Sequence, residues 1–143
     1  MKNLNRFIAV FILAGCGTGP SVISLLEDPH TLGNEPIVLN LEDPIYRKNQ
    51  EVDIRMEPLI PWSVEPPFEF VRLEDGTLIS VKATLVSDRG SRIESYLVGS
   101  AGQKLNLRFD KGPSRGEGIV RVELTASEPL EVTNVNWVDW NPK

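Results

Sequence analysis

The 143-residue chain contains one cysteine and one histidine, so the residue types that most nucleophilic and metal chemistry needs are scarce. Cys16 follows an apolar run over residues 7–13, which is preceded by Lys2 and Arg6. Its thiol is the only soft nucleophile of the chain, and the two small residues before it leave the backbone open to a peptidase. Cys16 is therefore the one thiol of the chain that is available for covalent modification.

The N-terminal segment has the charged start, short apolar run and small residues of a signal peptide. A membrane-spanning helix needs about 20 apolar residues, and this run is far shorter. Leu13-Ala14-Gly15-Cys16 resembles the lipobox of bacterial lipoproteins, whose cysteine receives a diacylglyceryl thioether before a signal peptidase cuts in front of it. The resemblance covers residues 1–16 only. It implies a signal peptide over residues 1–15 and a lipid anchor on Cys16, because two or three acyl chains hold a protein at a membrane whereas one binds marginally.

Charge and the residue after the cysteine indicate where the mature chain is located. The formal charge of −5 becomes more negative by two units once Lys2 and Arg6 are removed, which disfavours nucleic acid and anionic headgroups. The membrane contact is therefore expected through the lipid on Cys16. By resemblance to the sorting of enteric lipoproteins, Gly17 implies the periplasmic face of the outer membrane, within the cell envelope.

Catalytic and metal sites are not expected. His30 lies in the N-terminal segment, so no Ser-His or Cys-His pair can form within the domain. One histidine and no spare thiol exclude the usual zinc sites. Glu123 and Glu131 approach across a predicted hairpin but are expected to be solvated, and loop acids such as Asp88 and Asp110 lack a calcium-loop pattern. We therefore expect no enzyme activity, no cofactor and no metal.

Periodicity divides the remaining chain into a flexible tether over residues 16–34 and a β-domain over residues 35–143. Glycine and proline punctuate the tether, whereas apolar residues alternate with polar ones from residue 35 onward, most clearly over residues 51–57. About eight strands at intervals of 8–12 residues, without a long helix, predict an all-β fold. The predicted architecture is an antiparallel β-sandwich, either immunoglobulin-like or a jelly roll.

Two local predictions define strand register. Asp75-Gly76 predicts a two-residue type I′ turn at the centre of a hairpin over residues 68–83, with Phe70 opposite Val81. A second hairpin is predicted around residues 126–129.

The return strand of this second hairpin breaks strict alternation. A bulge at Thr133-Asn134 would restore it, because it brings Val132, Val135 and Trp137 to the core face.

The proline-rich stretch over residues 58–67 is the predicted partner-binding edge. Its four prolines exclude a central strand and restrict the backbone before a partner docks. Trp62 is the predicted anchor, with Leu59 and Ile60 beside it. The alternative is that these three side chains fold back and close one end of the sandwich.

Two further residues are candidates for partner contacts. Arg115 lies in a glycine-rich loop over residues 111–118 and is a candidate to meet an acidic partner, whereas the alternative is a mobile, solvated loop. Trp140 is expected to point away from the face that buries Trp137, either exposed or closing the sandwich. The expected function is that of a lipid-anchored, non-catalytic envelope lipoprotein that binds another envelope protein. The alternative is a glycan- or cell-wall-binding module that uses exposed tryptophans.

The lipid anchor leads to a first prediction. Cys16→Ser should abolish acyl labelling and leave uncleaved precursor, because a hydroxyl does not replace the thiol in thioether formation. Radiolabelled palmitate incorporation and intact-mass analysis measure both effects. A wild-type chain that is cleaved elsewhere and carries no lipid would contradict the predicted anchor.

Overall fold

The computed structural model describes residues 21–46 and 52–139, so Cys16, Trp140 and the predicted signal peptide lie outside it. The described residues form antiparallel β-sheets and contain no helix, which confirms the all-β prediction. They form thirteen strands rather than about eight, because residues 21–32 add two strands, residues 62–64 add one, and two predicted strands are each divided between sheets. Numbered in chain order, these are β1 (Ser21–Leu26), β2 (His30–Leu32), β3 (Ile37–Tyr46), β4 (Val52–Pro58), β5 (Trp62–Val64), β6 (Val71–Leu73), β7 (Leu78–Ile79), β8 (Val81–Ser87), β9 (Arg92–Glu94), β10 (Leu97–Ala101), β11 (Lys104–Arg108), β12 (Gly118–Ala126) and β13 (Leu130–Asp139).

The strands belong to three sheets. The six-stranded sheet has the order β1-β13-β4-β11-β10, with β2 also paired to β13. The four-stranded sheet has the order β3-β12-β8-β9, and the three-stranded sheet has the order β5-β6-β7. Buried side chains from all three sheets form a single hydrophobic cluster. The sheets are therefore joined by one core.

The predicted bulge in β13 is confirmed. The register between β13 and β4 shifts between Thr133 and Asn136, and Asn134 has a φ of 51°. As a result Val132, Val135 and Trp137 all point into the core, with exposures of 0%, 0% and 1%. Asparagine tolerates the left-handed region better than most residues, which explains its place in the bulge.

Residues 21–32 differ from the flexible tether that the sequence predicts. They form β1 and β2, both paired antiparallel with β13. Leu25 and Leu32 are 1% and 0% exposed, so burial of these side chains stabilises the segment as part of the sheet. Pro29, one of the residues that punctuate this segment in the sequence, lies between the two strands.

The turn of the predicted 68–83 hairpin is present, but its type and register are wrong. Gly76 has a φ of 87°, whereas Asp75 has no positive φ, and Leu73 N–H donates to the Thr77 carbonyl at 2.9 Å. The loop therefore has three residues, as in a type I turn with a bulge. Val71 now lies opposite Ile79, so these two side chains face the core.

The second half of this predicted hairpin departs at Ser80 to join another sheet. Ser80 and Ser127 exchange hydrogen bonds at 2.9 Å, and from Val81 onward β8 pairs with β12. Since β12 offers a longer partner than residues 68–70, Phe68 and Phe70 are left 42% and 43% exposed instead of packing on β8.

The predicted hairpin around residues 126–129 is also wrong. The strand before it, β12, belongs to the four-stranded sheet, and the strand after it, β13, belongs to the six-stranded sheet. These residues therefore carry the chain from one sheet to the other.

Strand β4 is buried on both faces rather than on one. Its inward residues are buried as predicted, but Asp53 on the opposite face is only 4% exposed. Its carboxylate accepts a hydrogen bond from Asn106 Nδ2 at 2.9 Å and lies 3.9 Å from Arg108 Nε. Asn106 Oδ1 in turn accepts from Arg55 Nε at 3.0 Å. This polar cluster joins β4 to β11 and so fixes the strand that follows the β10–β11 turn.

The outer face of the four-stranded sheet carries an ion-pair network around Glu123. Arg92 Nη2 lies 2.6 Å from Glu123 Oε2, and Arg121 Nε lies 3.0 Å from Oε1. The hydrogen bond and charge of Arg92, with a smaller contribution from Arg121, hold the pKa of Glu123 below its ordinary value. The ionised form of Glu123 is therefore the one that stabilises the fold.

The three-residue turn leads to a second prediction. Gly76→Ala should lower the free energy of unfolding by about 1 kcal/mol, because a side chain at this positive φ is strained although nothing lies within 4 Å of it. Gly33→Ala is the matched control, since its added methyl also meets nothing and its φ is not in that region. Denaturant unfolding of the full-length protein in detergent compares the two. Equal losses would contradict the assigned turn.

The Glu123 network leads to a third prediction. Because the folded-state pKa is lowered, the stabilisation is fully present above the ordinary value of 4.5 and is lost as the pH falls through the folded pKa. Glu123→Gln should therefore lower the Tm at pH 7 and match the wild type once the pH lies below the lowered folded-state pKa of Glu123. Glu94→Gln, on the neighbouring edge strand, is the control and should have a smaller effect at pH 7. A Tm difference for Glu123→Gln that is independent of pH would contradict the network.

Candidate functional site

The predicted binding edge lies between two sheets. Strand β4 ends at Pro58, and the Leu59 N–H donates to the Glu131 carbonyl of β13 at 2.9 Å. After Pro61 the chain forms β5, which is an edge strand of the three-stranded sheet. The strand that forms within this stretch, β5, lies at an edge as the prolines predict, whereas Pro58 is the last residue of the central strand β4. The loop is therefore held by backbone pairing at both of its ends.

The three apolar side chains of this loop have different surroundings. Trp62 is half-buried and packs against the hydrophobic core together with Val64. Leu59 and Ile60 are 47% and 40% exposed. The alternative in which the loop closes over the core thus describes Trp62, whereas Leu59 and Ile60 are accessible to a partner.

A groove of about 640 Å³ runs beside this loop. We call it the β5 groove; one wall is formed by residues 57–64 and the other by Ser100, Gly102 and Gln103 at the turn between β10 and β11. Its volume falls in the range of clefts that bind ligands. The groove brings together the predicted residues Leu59, Ile60 and Trp62.

A smaller groove of about 420 Å³ lies on the other side of the same loop. Its walls are Ile60 and Pro61 on one side and Leu73, Glu74 and Asp75 on the other. Ile60 and Pro61 line both grooves, so they form a ridge between them.

The charged residues that line the two grooves are all acidic. Glu57 borders the β5 groove, where Asn134 Nδ2 donates to its Oε2 at 3.1 Å and Lys104 Nζ lies 3.9 Å from Oε1. Glu74 and Asp75 border the smaller groove. Hydrogen bonds from Thr77 lower the pKa of Asp75, which keeps it ionised at neutral pH. The site therefore presents apolar surface with a negative rim.

The remaining predicted contact residues do not join this site. Arg115 is exposed in the loop that follows β11, whereas the β5 groove lies at the turn that precedes β11. Trp140 lies outside the described residues, and Trp137 is 1% exposed in the core. Among the described tryptophans, only Trp62 contributes to the candidate site.

The carboxylates weighed as a catalytic pair do not lie across one hairpin. Glu123 belongs to β12 and the ion-pair network, whereas Glu131 lies on β13 in the six-stranded sheet. Within residues 21–46 and 52–139, no group of three or more His, Cys, Asp or Glu side chains is placed to hold a metal ion. His30 is part of β2, where its Nδ1 lies 3.3 Å from the Asp28 carbonyl oxygen. A search of the described residues finds no helix of the length and apolarity needed to cross a membrane.

Sequence reasoning missed the opposite wall of the β5 groove. Ser100, Gly102 and Gln103 carry small or neutral side chains and are about forty residues away from the loop in sequence. They face it because β11 pairs with β4, the strand that leads into the loop. Gly99 and Gly102 mark a turn in the sequence, but the sequence does not indicate which segment lies beside that turn.

Comparison with known proteins gives no relative. No protein-family model, no curated protein and no solved structure matches this chain.

Proposed function

We propose that this protein is a lipid-anchored, non-catalytic envelope lipoprotein that binds another envelope protein through the β5 groove and the Ile60–Pro61 ridge. Its six- and four-stranded sheets form a β-sandwich around the shared core, and the three-stranded sheet carries the binding edge. The lipid on Cys16 holds it at the periplasmic face of the outer membrane. The exposed pair Leu59 and Ile60 beside a groove is the observation that carries the proposal.

The backbone of residues 58–67 is restricted before a partner binds, which supports a protein partner. Four prolines lie within residues 58–67, and the Leu59 N–H is already bonded to β13. Little backbone entropy is then lost when a partner docks, so more of the energy from apolar burial appears as affinity. Exposed apolar side chains beside a charged rim are typical of such interfaces.

The pairing of β1 keeps the domain close to the anchored residue Cys16. The first described strand begins at Ser21, five residues after Cys16. Five residues span at most roughly 18 Å when fully extended. A lipid on Cys16 therefore keeps the domain close to the bilayer surface, and we expect the partner to be a membrane protein or another anchored protein.

The glycan alternative has less support. A sugar platform needs an exposed aromatic face, but Trp62 is half-buried against the core and Trp137 is buried. Leu59 and Ile60 are aliphatic and offer apolar contact without a stacking face. The site therefore favours a protein over a glycan.

The binding site leads to a fourth prediction. A photoreactive amino acid at Leu59 should crosslink one discrete protein in living cells, whereas the same group at Val38 on β3 should not. The two positions are matched, with exposures of 47% and 48%. Ile60→Ser should remove the crosslink and leave the free energy of unfolding within about 0.5 kcal/mol of the wild type, because the side chain is exposed.

The controls define what would contradict this function. Equal crosslinking from Leu59 and Val38 would indicate non-specific collision. An unchanged crosslink in Ile60→Ser would show that the ridge does not bind. Products that are glycans rather than proteins would favour the alternative function.

A further inference from the structure

The free edge of β5 faces the β5 groove. Leu73 N–H donates to Thr77, so the backbone groups of Leu73 point toward β7. Backbone groups alternate in direction along an antiparallel strand, which makes Arg72 and Ser63 the hydrogen-bonded pair between β6 and β5. The N–H and C=O groups of Trp62 and Val64 therefore point away from β6. Since β5 pairs only with β6 among the described strands, these groups have no strand partner.

The opposite wall is also a strand edge. β10 pairs with β11 on one side only, and its Val98 N–H points outward and donates to the Phe68 carbonyl at 2.9 Å. By the same alternation the N–H and C=O of Ser100, two residues further on, also point outward. Ser100 lines the β5 groove. The fold thus already uses backbone pairing at this edge, and Ser100 carries outward backbone groups beside the groove.

We propose that the β5 groove binds an extended polypeptide segment by strand addition to β5. The inference rests on the proposed function and names the mode of binding and the partner's chemistry. The outward groups of Trp62 and Val64 pair with the partner backbone, because an unpaired strand edge is a template for another strand. Every second side chain of the bound segment is apolar and packs against Leu59 and Ile60, which both line the groove and are exposed.

Charge defines the composition of this segment. Glu57 is the charged residue that lines the β5 groove, with Lys104 Nζ 3.9 Å from its carboxylate, and Glu74 and Asp75 line the smaller groove on the other side of the Ile60–Pro61 ridge. No lysine or arginine lines either groove. An apolar segment flanked by lysine or arginine is therefore complementary, whereas an acidic segment is repelled. Because these acidic side chains lie at the rim, their effect on affinity should weaken with added salt.

The prolines limit the added strand to a short segment. Pro58 and Pro61 precede β5, and Pro66 and Pro67 follow it, so N–H donors are missing on both sides of Trp62–Val64. Proline at a sheet edge prevents continued pairing. The edge therefore suits one discrete peptide rather than open-ended association of copies of this chain.

A synthetic peptide tests the backbone pairing. The probe is a ten-residue peptide of alternating valine and threonine with two lysines at each end, titrated against the full-length protein in detergent at low salt. N-methylation of the amides on one edge of the peptide should weaken binding at least about tenfold, because it removes hydrogen bonds and leaves the side chains unchanged. Replacement of the lysines by glutamate should also weaken binding.

Variants of the protein test the same edge from the other side. Val64→Pro removes an N–H that points into the groove and that β6 does not use, so it should weaken peptide binding about tenfold. Val64→Thr keeps the N–H and the branched shape, and should stay within about threefold of the wild type. Thermal unfolding of both variants verifies that they fold.

The outcomes separate this inference from the proposed function. Equal binding of the N-methylated and unmodified peptides, or of the Val64→Pro and Val64→Thr variants, would overturn strand addition. Absence of any binding at millimolar peptide would also overturn it. In either case, a specific crosslink from Leu59 in cells would still support protein binding at the ridge, whereas loss of that crosslink alone would overturn the proposed function.

Discussion

The pairing of β13 on both of its edges is the constraint on which the six-stranded sheet depends. β1 and β2 pair with one edge and β4 with the other, so the N-terminal and central parts of the chain meet on this strand. The bulge at Thr133 and Asn134 makes this compatible with burial of Trp137. Each fully buried apolar side chain contributes about 1.5–3 kcal/mol, so a register that exposed this face would lose several of these contributions.

The same strand positions the binding edge. The Glu131 carbonyl of β13 holds the Leu59 N–H, and the bulge residue Asn134 donates to Glu57 at the rim of the groove. The loop thus leaves β4 in a fixed direction. The other wall depends on β4 as well, through the Asp53–Asn106 hydrogen bond to β11. Core packing and polar pairing in one sheet therefore place both walls of the groove.

Local sequence patterns predicted the features of the fold that depend on residues close together in the chain. Apolar alternation gave the inward face of β4, the break in alternation near Val132 gave the bulge, and the prolines gave an edge position for β5. Choices between distant partners were not predictable in this way. The local pattern around Val81 is compatible with pairing of β8 either with residues 68–70 or with β12. Because β12 is the longer partner, β8 pairs with it in the folded chain.

The same distinction applies to the candidate site, where some residues could be predicted from the sequence and others could not. Leu59, Ile60 and Trp62 were recognisable because an apolar stretch between prolines is unusual on a surface. Ser100 was not, since a small polar residue in a turn carries no signal of its own, and its place depends on the pairing of β11 with β4. The direction of the β5 backbone groups depends on the three-residue turn, whereas the sequence predicted a two-residue turn.

Amide hydrogen exchange at β5, measured by NMR on the full-length protein in detergent, tests the central claim most directly. The amides of Trp62 and Val64 should exchange rapidly in the free protein and slowly when the valine–threonine peptide is bound, while the Ser63 amide is protected in both states. Protected Trp62 and Val64 amides in the free protein, or no change at saturating peptide, would contradict the account.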